Sequence, residues 1–224
     1  MSYDGKVAVG GPAQRISTSK LDIYKIAVGP MDNNAYLLRN RVTSQSLLID
    51  AANEAPRLLE LCDSQLDSVL TTHCHLDHWL ALEDVVSATG ATTYAPAPEV
   101  PQIAATTDVE IRDHDVINLG DAALQIVLLR GHRANYLDHV STSAAVIYRD
   151  LDGSTRVFSG DCLFPGGIGN TCEDPVAYTT LLNDVTSKLF AVLPDDAVIH
   201  PGHGFDSTIG TERPKLGEWL RPAW

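Results

Sequence analysis

Residues 72–78 read Thr-His-Cys-His-Leu-Asp-His, so three of the chain's eight histidines and one aspartate crowd between His73 and His78. Read as polar residues at a strand end, with Asp77 capping a following helix, they leave three imidazoles packed together. Protonated imidazoles repel one another. A metal ion resolves the crowding, because neutral imidazole is a preferred ligand for zinc and similar ions. Along an extended segment, residues two apart project to the same side, so His73 and His75 can grip one ion. Entry into a helix then turns the chain, and Asp77 and His78 face a neighbouring position. Further ligands must come from elsewhere. Three loops offer them: His132 in "LLRGHR", Asp161 in "FSGDCLF" and His203 in "HPGHG". Each follows a segment that reads as a strand, and loops there carry chemistry.

The elements that position these residues are legible as short apolar runs. Strands are predicted over 21–28, 35–40, 44–50 and 68–72, the last running straight into the histidine cluster. Residues 55–62 have helical spacing. Residues 79–90 place Leu80, Leu82, Val85 and Val86 near one helical face, with Gly90 as the stop. Residues 116–131 and 144–161 read as hairpins turning at Gly120-Asp121 and Asp152-Gly153. The clearest helix is 173–193, with Asp174 as its cap and Pro175 in its first turn. Its apolar stripe is Leu181, Leu182, Val185, Leu189 and Val192. Residues 197–204 read as a strand ending in a loop. Strands with interspersed helices indicate a layered α/β domain. Cys74 and Cys162 read as small core residues. His200 reads as a strand-end residue or a support for the ligands, and His114 as a surface residue.

Composition narrows the partners. The chain has 224 residues and a net charge of −13, which disfavours nucleic acid because phosphate binding needs a basic face. No apolar run is long enough to span a membrane. The start, "MSYDGKVAVGG", lacks the pattern of a secretory signal, so a cytoplasmic location is expected. The four cysteines form no CxxC pair, and neither a disulfide framework nor a zinc ribbon is expected. A small-molecule substrate is expected, and homo-oligomers are compatible with the sequence.

Taken in order, His-x-His-x-Asp-His, Gly-His, Ser-Gly-Asp and Pro-Gly-His-Gly resemble the metallo-β-lactamase-fold hydrolases. The likeness is strongest to the glyoxalase II (hydroxyacylglutathione hydrolase) branch. "PGHGFDSTIGTER" is similar to that branch's closing motif and "MDNNAYLL" to its early strand, so the likeness spans residues 20–213. The resemblance implies a single α/β domain over 1–224, a four-layer αβ/βα sandwich with two divalent ions in a groove at one edge. Residues 1–20 would be an N-terminal arm or loose first strand, and 214–224 a short tail. Carried over position by position, His73, His75 and His132 would hold the first ion, Asp77, His78 and His203 the second, and Asp161 would bridge them. Zinc is the first choice, and the same ligands accept iron or manganese.

Two such ions lower the pKa of a shared water, which would attack an ester-like carbonyl. A thioester is the first expectation, with Asp77 accepting or steering a proton. Lactone, ester or β-lactam hydrolysis on the same site is the alternative, as is persulfide oxidation at one iron held by two histidines and an aspartate. The presence of Asp77, His78 and His203 favours two ions. The chain departs from the family at "GHRANYLDHVST", where Arg133 replaces a threonine. Arg133 could pair with a substrate carboxylate and Tyr136 could donate to an oxyanion. Otherwise Arg133 pairs with Asp138 and Tyr136 packs. The role of His139 stays open. The helical extension that holds glutathione in full-length glyoxalase II enzymes is not expected in this chain, where Arg213, Lys215 and Arg221 are the closing segment's cations.

Overall fold

The computed structural model describes residues 3–132 and 141–220. Its strands alternate between two buried faces, which is why they read as near-continuous apolar runs. One sheet runs in chain order through β1 (Gln14–Ser17), β2 (Leu21–Val28), β3 (Asn33–Asn40), β4 (Ser46–Ile49), β5 (Ser68–Leu70), β6 (Thr92–Pro96) and β7 (Val109–Ile111). The second contains β8 (Val116–Leu119), β9 (Ala122–Arg130), β10 (Thr142–Arg149), β11 (Thr155–Gly160), β14 (Val198–Pro201) and β15 (Ser207–Thr208), ordered β15-β14-β11-β10-β9-β8. A small hairpin, β12 (Leu163–Phe164) and β13 (Gly167–Ile168), follows β11.

Period-2 alternation sorts the side chains into three cores. Leu21, Ile23, Tyr36 and Leu38 meet Leu124, Ile126, Val146 and Phe158 between the sheets. Their neighbours Ile26, Val28, Ala35 and Leu37 face outward onto Leu58 of helix α1 (Ala55–Leu61) and Leu82 and Val85 of α2 (Leu82–Thr89). On the far side Val127, Leu129, Ile147 and Val157 pack on Leu181, Leu182 and Val185 of α3 (Pro175–Val185). Helix, sheet, sheet and helix make the four-layer sandwich.

Several local expectations are met. The β8–β9 hairpin turns on Gly120-Asp121, and the turn before β11 contains Gly153 at φ 89°. Gly90 closes α2 in the left-handed conformation, and the Asp174 carboxylate caps α3 by accepting from the amides of Val176 and Ala177. Others are corrected. Residues 79–81 are not helical, and Leu80 is about half exposed instead of sharing the buried face of Leu82 and Val85. Val192 lies beyond α3 and its π-type last turn (Thr186–Phe190), and it is exposed. Within the segment expected to be an arm or a loose first strand, Gln14–Ser17 forms β1, paired with β2, and the Tyr3 hydroxyl bonds Asp206. The segment after 213 continues from α4 (Ile209–Glu212) into short turns, and Trp219 is buried against Phe190. No helix of the described residues is long and apolar enough to cross a membrane.

Strand direction sets where the chemistry falls. Strand β10 is antiparallel to both β9 and β11, and β11 is parallel to β14. Strands β9, β11 and β14 therefore end at one edge. Two backbone bonds stitch the other sheet to that edge: the Ala144 amide donates to Thr72 O (2.8 Å) and the Asn34 amide to Gly202 O (2.7 Å).

Candidate metal centre

All seven residues singled out by type and spacing converge at this edge. His73 and His75 leave β5, His132 follows β9, Asp161 follows β11, and His203 follows β14. One ligand atom from each of His73, His75, His132 and Asp161 lies within 4.8 Å of the others, and the same holds for Asp77, His78 and His203. Asp161 faces both groups, with its carboxylate oxygens 3.7 Å from His132 Nε2, 3.5 Å from His78 Nε2 and 3.4 Å from His203 Nε2. Asp77 does not cap a helix. It sits in a 3-10 turn, Leu76–His78, and the His78 ring packs 4.2 Å from that of His73 between the two groups.

Outer hydrogen bonds orient the rings, and the pattern assigns their tautomers. His132 donates from Nδ1 to Asn170 O (2.9 Å) and His203 from Nδ1 to Met31 O (2.9 Å), so each turns Nε2 inward. His78 Nδ1 lies 2.7 Å from Asp50. His73 Nδ1 lies 3.0 Å from Thr72 Oγ1, whose hydroxyl donates to the same Asp50 carboxylate (2.9 Å). His75 is turned the other way, with Nδ1 3.0 Å from His132 Nε2. Asn33 donates from Nδ2 to Asp77 (2.8 Å). Asn34 donates to the carbonyls of Pro201 and Gly204, fixing the loop that bears His203. Buried Glu99 accepts from the amides of Cys74 and Thr142, tying the histidine segment to the start of β10.

Sequence reading missed Asp50, Asn33 and Glu99. Asp50 had a signal, since an acid closes an otherwise apolar strand in "SLLID". It adopts φ 60°, a conformation that aspartate tolerates. His200 is buried and bonded to Asp206, not to the seven clustered residues, and His114 is exposed. Cys74 and Cys162 lie in apolar cores with free thiols, and burial pushes the Cys162 thiol up to about 12. Arg133, Tyr136, Asp138 and His139 lie outside the described residues.

The donor set fits a cation. His73 Nε2 and Asp161 Oδ1 are buried without a hydrogen-bond partner among the described residues, a costly state for polar atoms. Among the described residues, the ion-pair partners of the carboxylates of Asp50, Asp77 and Asp161 are histidines, with no lysine or arginine. Burial and the neighbouring histidines push His73 well below its ordinary value and His75 to about 4, which favours neutral rings ready to ligate. Burial also depresses His203, but Asp161 and Asp77 outweigh it and push that ring up to about 10. Burial lowers His78 too, and Asp161 and Asp50 more than reverse it. The surrounding carboxylates thus favour positive charge within this group.

Close approach also fixes one glycine. A Cβ on Gly202 would fall onto Asp161 Oδ1 and lie 2.9 Å from the His78 ring, so only glycine brings the β14 loop this near.

Comparison with known proteins gives the chain's relatives. A hydroxyacylglutathione hydrolase of Bradyrhizobium is 32% identical over 181 residues, covering 79% of this chain and 64% of its own length. The chain thus spans under two thirds of that relative. An uncharacterized protein of Mycobacterium tuberculosis is 31% identical over 210 residues, covering 80% of this chain and 89% of its own. Among solved structures, TTHA1623 in a di-iron-bound form superposes with a TM-score of 0.67 at 26% identity, covering 84% of this chain and 96% of that one. The sequence model of the metallo-beta-lactamase superfamily matches residues 28–203, a span that contains all seven clustered residues, and the chain belongs to that superfamily.

Proposed function

We propose that the protein is a dinuclear metal-dependent hydrolase that cleaves an ester-like carbonyl, with a thioester as the first substrate class. The observation that carries this reading is the pair of adjacent donor groups facing one carboxylate, Asp161. His73, His75 and His132 would hold one ion, Asp77, His78 and His203 the other, with Asp161 between them. Zinc is the leading candidate. Bound there, two divalent ions supply a hydroxide nucleophile at neutral pH and Lewis acidity toward the carbonyl oxygen.

The chain's own groups do the rest. Burial pushes the Asp77 carboxyl up, but His203, His78 and Asn33 outweigh it and hold the group below the usual carboxylate range. It is therefore ionised at neutral pH. Its oxygen is aimed by the Asn33 amide, where it can accept a proton during attack. Asp50, Thr72, Asn170 and Met31 hold the imidazoles of His78, His73, His132 and His203 with Nε2 available to ligate. A mononuclear iron oxidase would not need Asp77, His78 and His203 in one group, which favours hydrolysis over oxidation. The similarity to hydroxyacylglutathione hydrolases supports the thioester class.

Substituting His75→Ala or Asp161→Ala is expected to lower metal content and to reduce turnover nearly to background, read by elemental analysis and a thioester assay. Full activity in either variant would refute the assignment.

A further inference from the structure

The loop that bears His203 rests on a buried ionic cluster. Lys25 occupies a β2 position whose neighbours on the same face, Leu21 and Ile23, belong to the core between the sheets, and its side chain is fully buried. Its ammonium donates to Gly5 O (2.8 Å), Gly204 O (2.8 Å) and Asp206 Oδ1 (2.7 Å), so all three N–H groups are used. The other Asp206 oxygen accepts from the Tyr3 hydroxyl (2.5 Å) and from His200 Nδ1 (2.8 Å). His200 Nε2 lies 3.2 Å from Arg156 Nη1 and accepts from it, which leaves the proton on Nδ1. The same Gly204 carbonyl also receives Asn34 Nδ2 (2.9 Å). The residue next to His203 is thereby held by two donors, and Asp206 pins the chain two residues further on.

A charged lysine between two sheets is a poor way to fill volume, since an apolar side chain of similar size avoids the desolvation cost. What the ammonium adds is direction: three fixed bonds that lock one loop. We infer that Lys25, Asp206 and His200 are positioning residues that fix the His203 loop, and so set the affinity of the Asp77–His78–His203 group for its cation. This rests on the two-ion reading of the site. The inference is selective, because His73 and His132 are oriented by Thr72 and Asn170, on other loops.

Zinc titration of metal-free protein against a chromophoric chelator tests it. The variants are Lys25→Met and the charge-free pair Lys25→Met/Asp206→Asn, which keeps volume and leaves neither partner of the pair charged. His203→Ala marks which binding step belongs to the second group. Both variants are expected to weaken that step about 10–100-fold, the range for losing a group that supports a metal ligand, and to leave the other step unchanged. Near-UV circular dichroism confirms that the double variant is folded. Equal weakening of both steps, or wild-type affinity at both, overturns the inference while the two-ion reading stands. Uptake of a single zinc by the wild-type chain overturns that reading and the inference with it.

Discussion

His78 shows how much of this site is decided one bond away from the ligand atoms. Its ring is fully buried, and Asp50 holds Nδ1 so that Nε2 faces Asp77, Asp161 and His203. Asp50→Ala is expected to weaken cation binding at that group by about 10–100-fold, measured by competition with a chelator, with little change in the fold. Gly202→Ala should act more sharply on catalysis, because the added methyl displaces Asp161. About a 100-fold loss of turnover is expected for a shift of this kind near the reacting centre, measured as kcat in protein whose circular dichroism is unchanged. The clustered residues were legible in sequence because histidine and aspartate at ligand spacing are rare outside such sites. Asn33 and Glu99 were not, because each acts on a partner at least 25 residues away; Asp50 left a trace as the acid closing an apolar strand, but its partner His78 lies 28 residues on.

Strand ends were easier to locate than the turns beyond them. The turn at Leu76–His78 replaces the helix start expected at residue 79, and α2 begins only at Leu82. Four side chains of the cluster, His73, His75, Asp77 and His78, and the buried Cys74 take their places before the chain is free to wind, so tertiary demand overrides helical spacing there. Strands β6 and β7 also escaped sequence reading, being short, proline-bounded or at the sheet edge. By contrast, α3 was legible from its cap and stripe. It is clamped beside the His132 loop by buried Asp184, which accepts from the Arg130 amide (3.0 Å), Nε (2.9 Å) and Nη2 (2.8 Å). Asp184→Ala should lower stability by about 1 kcal/mol in urea unfolding, because the Arg130 amide loses its acceptor while the exposed guanidinium is rehydrated. An unchanged midpoint and slope would mean that the clamp contributes nothing.

The sandwich as a whole brings two sheets to one edge, and its pH response should reflect the buried ions that join them. Burial pushes the Asp206 carboxyl up, but His200 and Lys25 outweigh it and leave it below its ordinary value of 3.8. A depressed carboxylate contributes stability above its unfolded pKa and loses it as pH falls through the folded one. The cost of Asp206→Asn should therefore be full at pH 7 and shrink below pH 3.8, read by denaturant unfolding of both proteins across that range. A cost that stays constant with pH would show that the carboxylate is not held ionised. The layered architecture was legible from alternating strands and the four ordered motifs together; the direction of β9, β11 and β14, which gathers the loops, was not, since pairing is set by contacts between distant segments. The chemistry of the gathered loops is decided by metal content and turnover measured on one preparation. Elemental analysis of the wild-type chain should give two zinc-like ions per chain, with hydrolysis of a thioester or lactone that stops on chelation and returns with the metal. One iron per chain, with oxygen consumed on a persulfide and no hydrolysis, would contradict it.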